Sequence, residues 1–305
     1  MENAQDHHDP TLMFERLRPR LQAIAYRMLG SAAEAEEIVQ DAWLRWHEAD
    51  RTAICNAEAW LVAVATRLSI DRLRAAKVQR EHYEGIWLPE PLLCESPPTP
   101  EDVVEHVDNI SVAFLLVLER LAPEARAAFL LREVFDADYG EIAATLGKSE
   151  AACRQLVHRA KAQVRSGGAR YAISADTHRR LLTRFAQALS AGDFSSINAM
   201  LAEDAVLLGD GGGKVPSFPQ PLLGGRRIAQ LFFATRLRFG AAVRVELAAL
   251  NGRLGVLRFI DGQLESAQSF ETDGERILRI QVQRNPDKLA RIAAARLDGP
   301  PISPH

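Results

Sequence analysis

The stretch Asp138-Tyr-Gly-Glu-Ile-Ala-Ala-Thr-Leu-Gly-Lys-Ser-Glu-Ala-Ala-Cys-Arg-Gln-Leu-Val-His-Arg-Ala-Lys161 carries two apolar periods separated by a turn. Ile142, Ala143 and Leu146 mark the inner side of a short helix, and small residues at Ala143 and Ala144 let a second helix cross it closely. Gly147 supplies the turn, and Ser149 is placed to cap the helix that follows. In that second helix Cys153, Val157, Ala160 and Val164 recur at helical spacing and are expected to face a core. Arg154, Gln155, His158, Arg159 and Lys161 are left outward. The pattern predicts a helix-turn-helix whose second helix reads base edges with its first half and holds phosphates with its later bases. The plainer reading of the same residues is a solvated basic face on a small helical bundle.

Charge is segregated around this segment. The chain of 305 residues has a net charge of −3, which by itself speaks against a nucleic-acid protein. From Lys148 to Arg170, however, six bases face one acid, Glu150, whereas from Ser31 to Asp50 six acids face one base, Arg45. Phosphate responds to the field within a Debye length of about 8 to 10 Å, not to the molecular sum. The total therefore excludes nothing.

Upstream, Leu17, Leu21, Ile24 and Met28 form one helical stripe, which Gly30-Ser31 ends and recaps. A second helix places Ile38, Ala42, Trp43 and Trp46 on one face. A third is expected over about Ala57 to Val78, with Trp60, Leu61, Val64, Leu68 and Leu73 inward. Residues 84–110 then read as a linker, because Pro89, Pro91, Pro97, Pro98 and Pro100 remove amide donors and disfavour helix. Downstream of Gly167-Gly168 the character changes. Helices are expected over His178 to Leu189, Phe194 to Leu201 and Arg226 to Phe239. Alternating segments follow, broken by Asn251-Gly252, Asp261-Gly262 and Asp273-Gly274, dipeptides suited to tight hairpin turns. This predicts an antiparallel sheet with helices on one face, an α+β domain.

An apolar fraction of 47% and a charged fraction of 25% are those of globular protein. No run of about 18 apolar residues and no secretory leader occur, so neither a membrane partner nor export is expected and the chain is expected in the cytoplasm. Cys55, Cys94 and Cys153 form no paired motif, which leaves no signal for a disulfide, a metal or any cofactor.

Two further segments carry a resemblance. Glu34-Ala-Glu-Glu-Ile-Val-Gln-Asp-Ala-Trp-Leu-Arg-Trp46 resembles region 2.2 of extracytoplasmic-function sigma factors, the helix that docks on the clamp coiled coil of bacterial core RNA polymerase. By position, Glu37, Gln40, Asp41 and Arg45 would make that contact. Trp60-Leu-Val-Ala-Val-Ala-Thr-Arg-Leu-Ser-Ile-Asp-Arg-Leu-Arg74 resembles the following regions 2.3 and 2.4, which open and read the promoter −10 element. Asp71 and Arg74 match that pattern, whereas Arg67 departs from it, since many relatives carry Asn there. Arg72, Arg74, Lys77 and Arg80 would hold the −10 backbone. The helix-turn-helix would then read the −35 element through Arg154, Gln155, His158, Arg159 and Lys161. An acidic docking helix, a promoter-reading helix, a linker and a helix-turn-helix follow one another over residues 11–168, and that order is the specific signal.

The remainder resembles the SnoaL-like, or nuclear-transport-factor-like, cone, and three motifs resemble the sigma subgroup that bears it. They are Trp87-Leu-Pro-Glu-Pro91, with Trp87, Leu88 and Pro89 as an anchor, Asp210-Gly-Gly-Gly-Lys214 and Asn285-Pro-Asp-Lys-Leu289. Asp210, Gly211, Gly212, Gly213, Lys214, Asn285, Pro286, Asp287 and Lys288 are expected to meet the linker motif and regulate the factor. The resemblance implies two all-α sigma domains, 11–83 and 111–168, followed by an α+β cone at 174–292 and a tail at 293–305. The expected function is a non-enzymatic sigma factor that binds core polymerase and promoter DNA. Two alternatives stand beside it. One is a ligand-responsive DNA-binding regulator that never joins polymerase. The other is a cyclase- or isomerase-like enzyme with a DNA-binding appendage, for which Asp204, Asp210 and His178 are the candidate groups. A small ligand in the cone remains an open partner.

Overall fold

The structure, a computed structural model, describes residues 10–94, 111–167 and 173–297, and the side chains of Lys77, Val78, Gln79, Glu81 and Leu297 lie outside that description. Two compact units divide the chain: Met1–Glu81 with Val117–Gly167, and His82–Leu116 with Gly168–His305.

The first unit is all helical. It comprises α1 (Pro10–Leu29), α2 (Ala32–Glu48), α3 (Ala57–Glu81), the end of α4 (Val112–Leu118), α5 (Pro123–Glu133), α6 (Tyr139–Leu146) and α7 (Glu150–Gly167). The α1 stripe of Leu17, Leu21, Ile24 and Met28 is buried as expected. Gly30, at φ 69°, ends that helix, and the Ser31 hydroxyl caps the next by accepting from Glu34 N at 3.3 Å. Burying such a stripe from each helix against its neighbours is what makes short helices stable in water. Around α6 and α7 a smaller core gathers Ala128, Leu131, Ile142, Ala143, Cys153 and Val157. Asp138 and Glu141 form a reciprocal capping box at the start of α6, and Gly147, at φ 63°, provides the left-handed turn after it.

The second unit is α+β. Helices α8 (Ala175–Ala191), α9 (Phe194–Met200), α10 (Gly225–Phe239) and α11 (Pro286–Leu297) accompany six strands. These are β1 (Leu201–Asp210), β2 (Leu222–Leu223), β3 (Val243–Leu250), β4 (Arg253–Ile260), β5 (Gln263–Thr272) and β6 (Ile277–Gln283), in the order β2-β1-β6-β5-β4-β3. The Asn-Gly and Asp-Gly turns do make the β3–β4 and β4–β5 hairpins, with Asn251 and Asp261 at φ 50° and 51°.

The sheet departs from the expected antiparallel one in a single pairing: β1 runs parallel to β6. No hairpin turn joins these strands. Chain that leaves β1 passes through β2, α10 and the strands β3, β4 and β5 before β6 arrives, and such a crossover permits parallel pairing. The helices also occupy both faces rather than one. On the inner face α8, α9 and α10 bury Leu181, Phe185, Ile197, Ile228 and Phe232 against Val256, Phe270 and Ile280. On the outer face Leu289 and Ile292 of α11 cover Leu257, Phe259 and Ala267, joined by Leu93.

Candidate functional site

On α2 the apolar stripe Ala35, Ile38, Val39, Ala42 and Trp46 is buried, which turns Glu37, Gln40, Asp41 and Arg45 to solvent together. Leu44 stands on the same outward face with 51% of its surface exposed. Nothing in the sequence marks that residue as a contact, because a lone leucine among charged residues makes no pattern of its own. The outward side of α2 is thus a polar face with one protruding apolar side chain.

Among the described residues, the bases of α3 are already engaged. Arg72 pairs with Glu37 at 2.7 Å. Arg74 contacts Asp71 at 3.2 Å and Glu124 of α5 at 2.8 Å, and Glu124 also holds Lys148 at 3.0 Å. Arg80 binds Glu119 and donates to the Leu29 carbonyl at 3.0 Å. Glu119 also accepts from Arg126 at 2.7 Å, and that guanidinium, 2% exposed, caps the Met28 carbonyl. Burial holds Arg126 below the ordinary arginine range, an effect that Glu119 offsets only in part. Arg67, the residue that departs from the family pattern, donates to the carbonyls of Thr145 and Ala144 at 2.7 and 2.8 Å. Those are C-terminal carbonyls of α6, where the helix leaves acceptors unfilled and carries partial negative charge.

In the helix-turn-helix, Arg154, Gln155, His158 and Arg159 are exposed on α7, and Lys161 is half-buried against Glu133 at 2.6 Å. Arg154 pairs with Glu150 at 2.6 Å and lies over the Tyr139 ring at 5.0 Å. Ser149 accepts from Ala152 N at 3.3 Å, the cap expected of it.

Within the second unit, the linker motif and both C-terminal motifs converge on one buried carboxylate. Asp210, at the end of β1, is 0% exposed. Its Oδ1 accepts from the Tyr83 hydroxyl at 2.6 Å and from Gly212 N at 3.0 Å. Its Oδ2 accepts from Leu88 N at 2.9 Å, Gln283 Nε2 at 3.2 Å and Lys288 Nζ at 2.7 Å. The ammonium of Lys288 also donates to the Leu88 carbonyl at 2.7 Å and lies 4.5 Å from the Trp87 ring and 5.0 Å from that of Tyr83. Pro89 contributes its carbonyl to Gln283 Nε2 at 3.3 Å. Asn285 donates to the Tyr83 oxygen at 3.1 Å and caps α11 by accepting from Asp287 N at 3.1 Å, with Pro286 at the first helical position. Lys214 reaches Asp287 at 2.5 Å. The glycines are steric requirements. A Cβ on Gly211 would strike the Val215 carbonyl, one on Gly212 the Asn285 amide, and one on Gly213 the Glu84 carboxylate. Gly212 and Gly213 also hold φ of 62° and 69°. Burial, and then the Asp210 hydrogen bond, push the Tyr83 phenol well above its ordinary range, so it is a fixed donor.

Residues 13–78 match the Sigma-70 region 2 family, and residues 111–164 match Sigma-70, region 4. The chain is 39% identical over 246 residues to the ECF RNA polymerase sigma factor SigJ of Mycobacterium tuberculosis, covering 79% of this chain and 78% of the relative. It belongs to the ECF RNA polymerase sigma factors. A second relative, the probable ECF RNA polymerase sigma factor SigI of the same species, is 30% identical over 292 residues, 94% of this chain and 97% of its own. The crystal structure of the SigJ factor superposes with a TM-score of 0.73 at 33% identity, covering 92% of this chain and 98% of that one. The helical sigma domains and the C-terminal α+β domain expected from the sequence are thus those of this sigma family.

Three residues of this sigma factor's linker site lie outside the motifs, Tyr83, Gln283 and Arg291, and Glu90 of the linker motif was not singled out as a contact. Glu90, 4% exposed, meets Arg291 of α11 at 3.3 Å. The linker also extends the sheet, where Leu93 pairs with Leu250 and Cys94 N donates to the Ala249 carbonyl at 2.9 Å. The candidate acid–base groups of the cone are placed apart. Asp204 is exposed on β1, six residues or about 20 Å from Asp210. His178 is buried and donates from Nε2 to the Leu254 carbonyl at 2.9 Å. An indentation among Leu189, Phe232, Val256 and Gln268 leaves room for about one water molecule. Among the described residues no helix is long and apolar enough to cross a membrane.

Proposed function

We propose that this sigma factor docks on core polymerase through Glu37, Gln40, Asp41 and Arg45, with Leu44 as the apolar centre of the contact. Complementary charge sets register and on-rate at such a surface, and the protruding leucine adds desolvated area. Promoter recognition divides between α3 at the −10 element and α7 at the −35 element. Arg154, Gln155, His158 and Arg159 face outward for the second task. Arg72, Arg74 and Arg80 serve the first by exchanging carboxylates for phosphates, a trade that a polyanion favours through counterion release. Lys77 belongs to the same helix, with its side chain outside the description.

The C-terminal domain acts as a regulator by holding the linker. The observation that carries this reading is the buried Asp210, to which Tyr83 just before the linker, Leu88 of the linker, and Gln283 and Lys288 of the C-terminal domain all donate. The linker joins the two promoter-reading elements, so its capture changes the free length of their tether, and effective concentration falls or rises with that length. Run-off transcription with core polymerase tests both parts. Asp41→Lys is expected to abolish association with core polymerase while duplex binding by α7 persists. Asp210→Asn and Trp87→Ala are expected to alter transcript yield severalfold with core association unchanged. Equal yields from parent, Asp210→Asn and Trp87→Ala would sink the regulatory reading.

A further inference from the structure

The inner helices of the second unit carry an uncompensated surface. Helix α8 bears Arg179, Arg180 and Arg184 against one acid, Asp176, and α10 bears Arg226, Arg227, Arg236 and Arg238 with no acid at all. Among the described residues, the only other carboxylate on these helices or their caps is Asp193, which is spent capping α9 through Ser196. Both helices bury their opposite faces in one core, on Leu181, Leu182, Phe185, Ile228, Ala229 and Phe232. Their exposed arginines therefore look away from the sheet on the same side of the domain.

Pairing makes the contrast sharper. On the promoter-reading elements Arg72, Arg74, Lys148, Arg154 and Lys161 each have a carboxylate partner. Among the described residues Arg179, Arg184, Arg226, Arg227 and Arg238 have none, although Glu203 and Asp204 stand exposed on β1 beside α10. A chain of net charge −3 has concentrated unpaired guanidinium groups on one helical layer. Like charges so arranged repel one another, and the arrangement is relieved by a polyanion. Guanidinium is also the side chain best suited to phosphate, through its planar fork of donors. At 1.5 Å per residue the two helices run about 25 and 22 Å, enough to follow roughly seven base pairs of duplex.

We propose that the outward layer of α8 and α10 is a second duplex-DNA surface that grips phosphates without reading bases. The proposal rests on the promoter-binding role of α7, which already brings duplex DNA to this chain and makes a further contact intramolecular.

The test uses the full chain, a fluorescent 30-base-pair duplex of mixed sequence, and binding measured across salt concentration. Each lost phosphate contact lowers the slope of log affinity against log salt by about 0.9. Arg179→Glu/Arg184→Glu/Arg226→Glu/Arg227→Glu is expected to lower that slope by at least about 2 and to weaken binding more than about tenfold at low salt. Arg276→Glu, an exposed arginine between β5 and β6, is the charge control and is expected to change binding less than twofold. Should the quadruple variant unfold, Arg179→Glu/Arg184→Glu and Arg226→Glu/Arg227→Glu are read separately. Arg159→Glu on α7 separates the two claims. Loss of binding in Arg159→Glu with the α8 and α10 variants at parental affinity overturns this surface and leaves the helix-turn-helix reading standing. Parental affinity in all of them overturns both.

Discussion

Lys288 Nζ stands 2.7 Å from Asp210 Oδ2, and the carboxylate has no exposed surface while the side chain of the lysine keeps 14% of its own. Two charges removed from water this far gain only when every remaining lone pair is filled, and here Tyr83, Gly212, Leu88 and Gln283 fill them. Removing one partner strands the other. Lys288→Met is expected to destabilise the second unit by about 3 to 5 kcal/mol. Restoring neutrality with Asp210→Asn in the same chain is expected to recover a substantial part of that loss. Urea denaturation across the double-mutant cycle measures the coupling, and strict additivity of the two changes would contradict it. Limited proteolysis offers a local reading, since linker cleavage is expected to accelerate in Lys288→Met.

Arg67 makes a separate prediction within the first unit. Its guanidinium ties α3 to the end of α6 through the Thr145 and Ala144 carbonyls. Hydrogen bonds from a charged donor contribute about 1.5 to 3 kcal/mol, and the exposure of this side chain reduces that to on the order of 1 kcal/mol. Arg67→Ala is therefore expected to raise amide hydrogen exchange in α6 several-fold with α1 and α2 unchanged. Arg67→Lys, which lacks the planar fork, is expected to rescue little of it. Uniform exchange changes across the unit would point to general destabilisation instead.

His178 sets a pH dependence. Burial holds its pKa below the ordinary 6.5, against a smaller opposing effect of its bond to the Leu254 carbonyl. That carbonyl accepts only, so Nε2 carries a proton, while burial disfavours adding a second on the other ring nitrogen. The unfolded chain protonates first on acidification and binds more protons than the folded one. Stability from this group is complete above about pH 6.5 and declines as pH falls from there toward the lowered folded value. His178→Gln is expected to flatten the thermal-unfolding profile between pH 7 and 5 relative to the parent. An unchanged slope would remove His178 from the account.

What could be read from the sequence was local. Gly147 and Ser149 specify the turn and cap of the helix-turn-helix within five residues of one another, so their chemistry is visible in a short window. The same holds for Asn251-Gly252 and Asp261-Gly262 at the hairpins. The three motifs around Asp210 were legible as motifs. Their other partners were not, because Tyr83 lies 127 positions away and nothing in its surroundings marks it as a donor. Arg67 stood out as a departure from the family pattern, yet its acceptors are backbone carbonyls that no side-chain pattern reveals. The parallel β1–β6 pair was hidden for a related reason: hairpin chemistry announces antiparallel neighbours, and a crossover announces nothing.

The docking of Leu88, Glu90 and Leu93 into the C-terminal fold has a consequence for how this protein can be cut and recombined. The tether is built into the third domain's architecture, so that domain is not an appendage that can be trimmed off cleanly. A chain ending at Gly168 retains Leu88 and Glu90, side chains meant for burial, but loses the groove that shelters them. Grafting the domain onto another initiation factor would likewise demand that the recipient's tether be replaced with this one. The heritable unit is the strap together with its buckle.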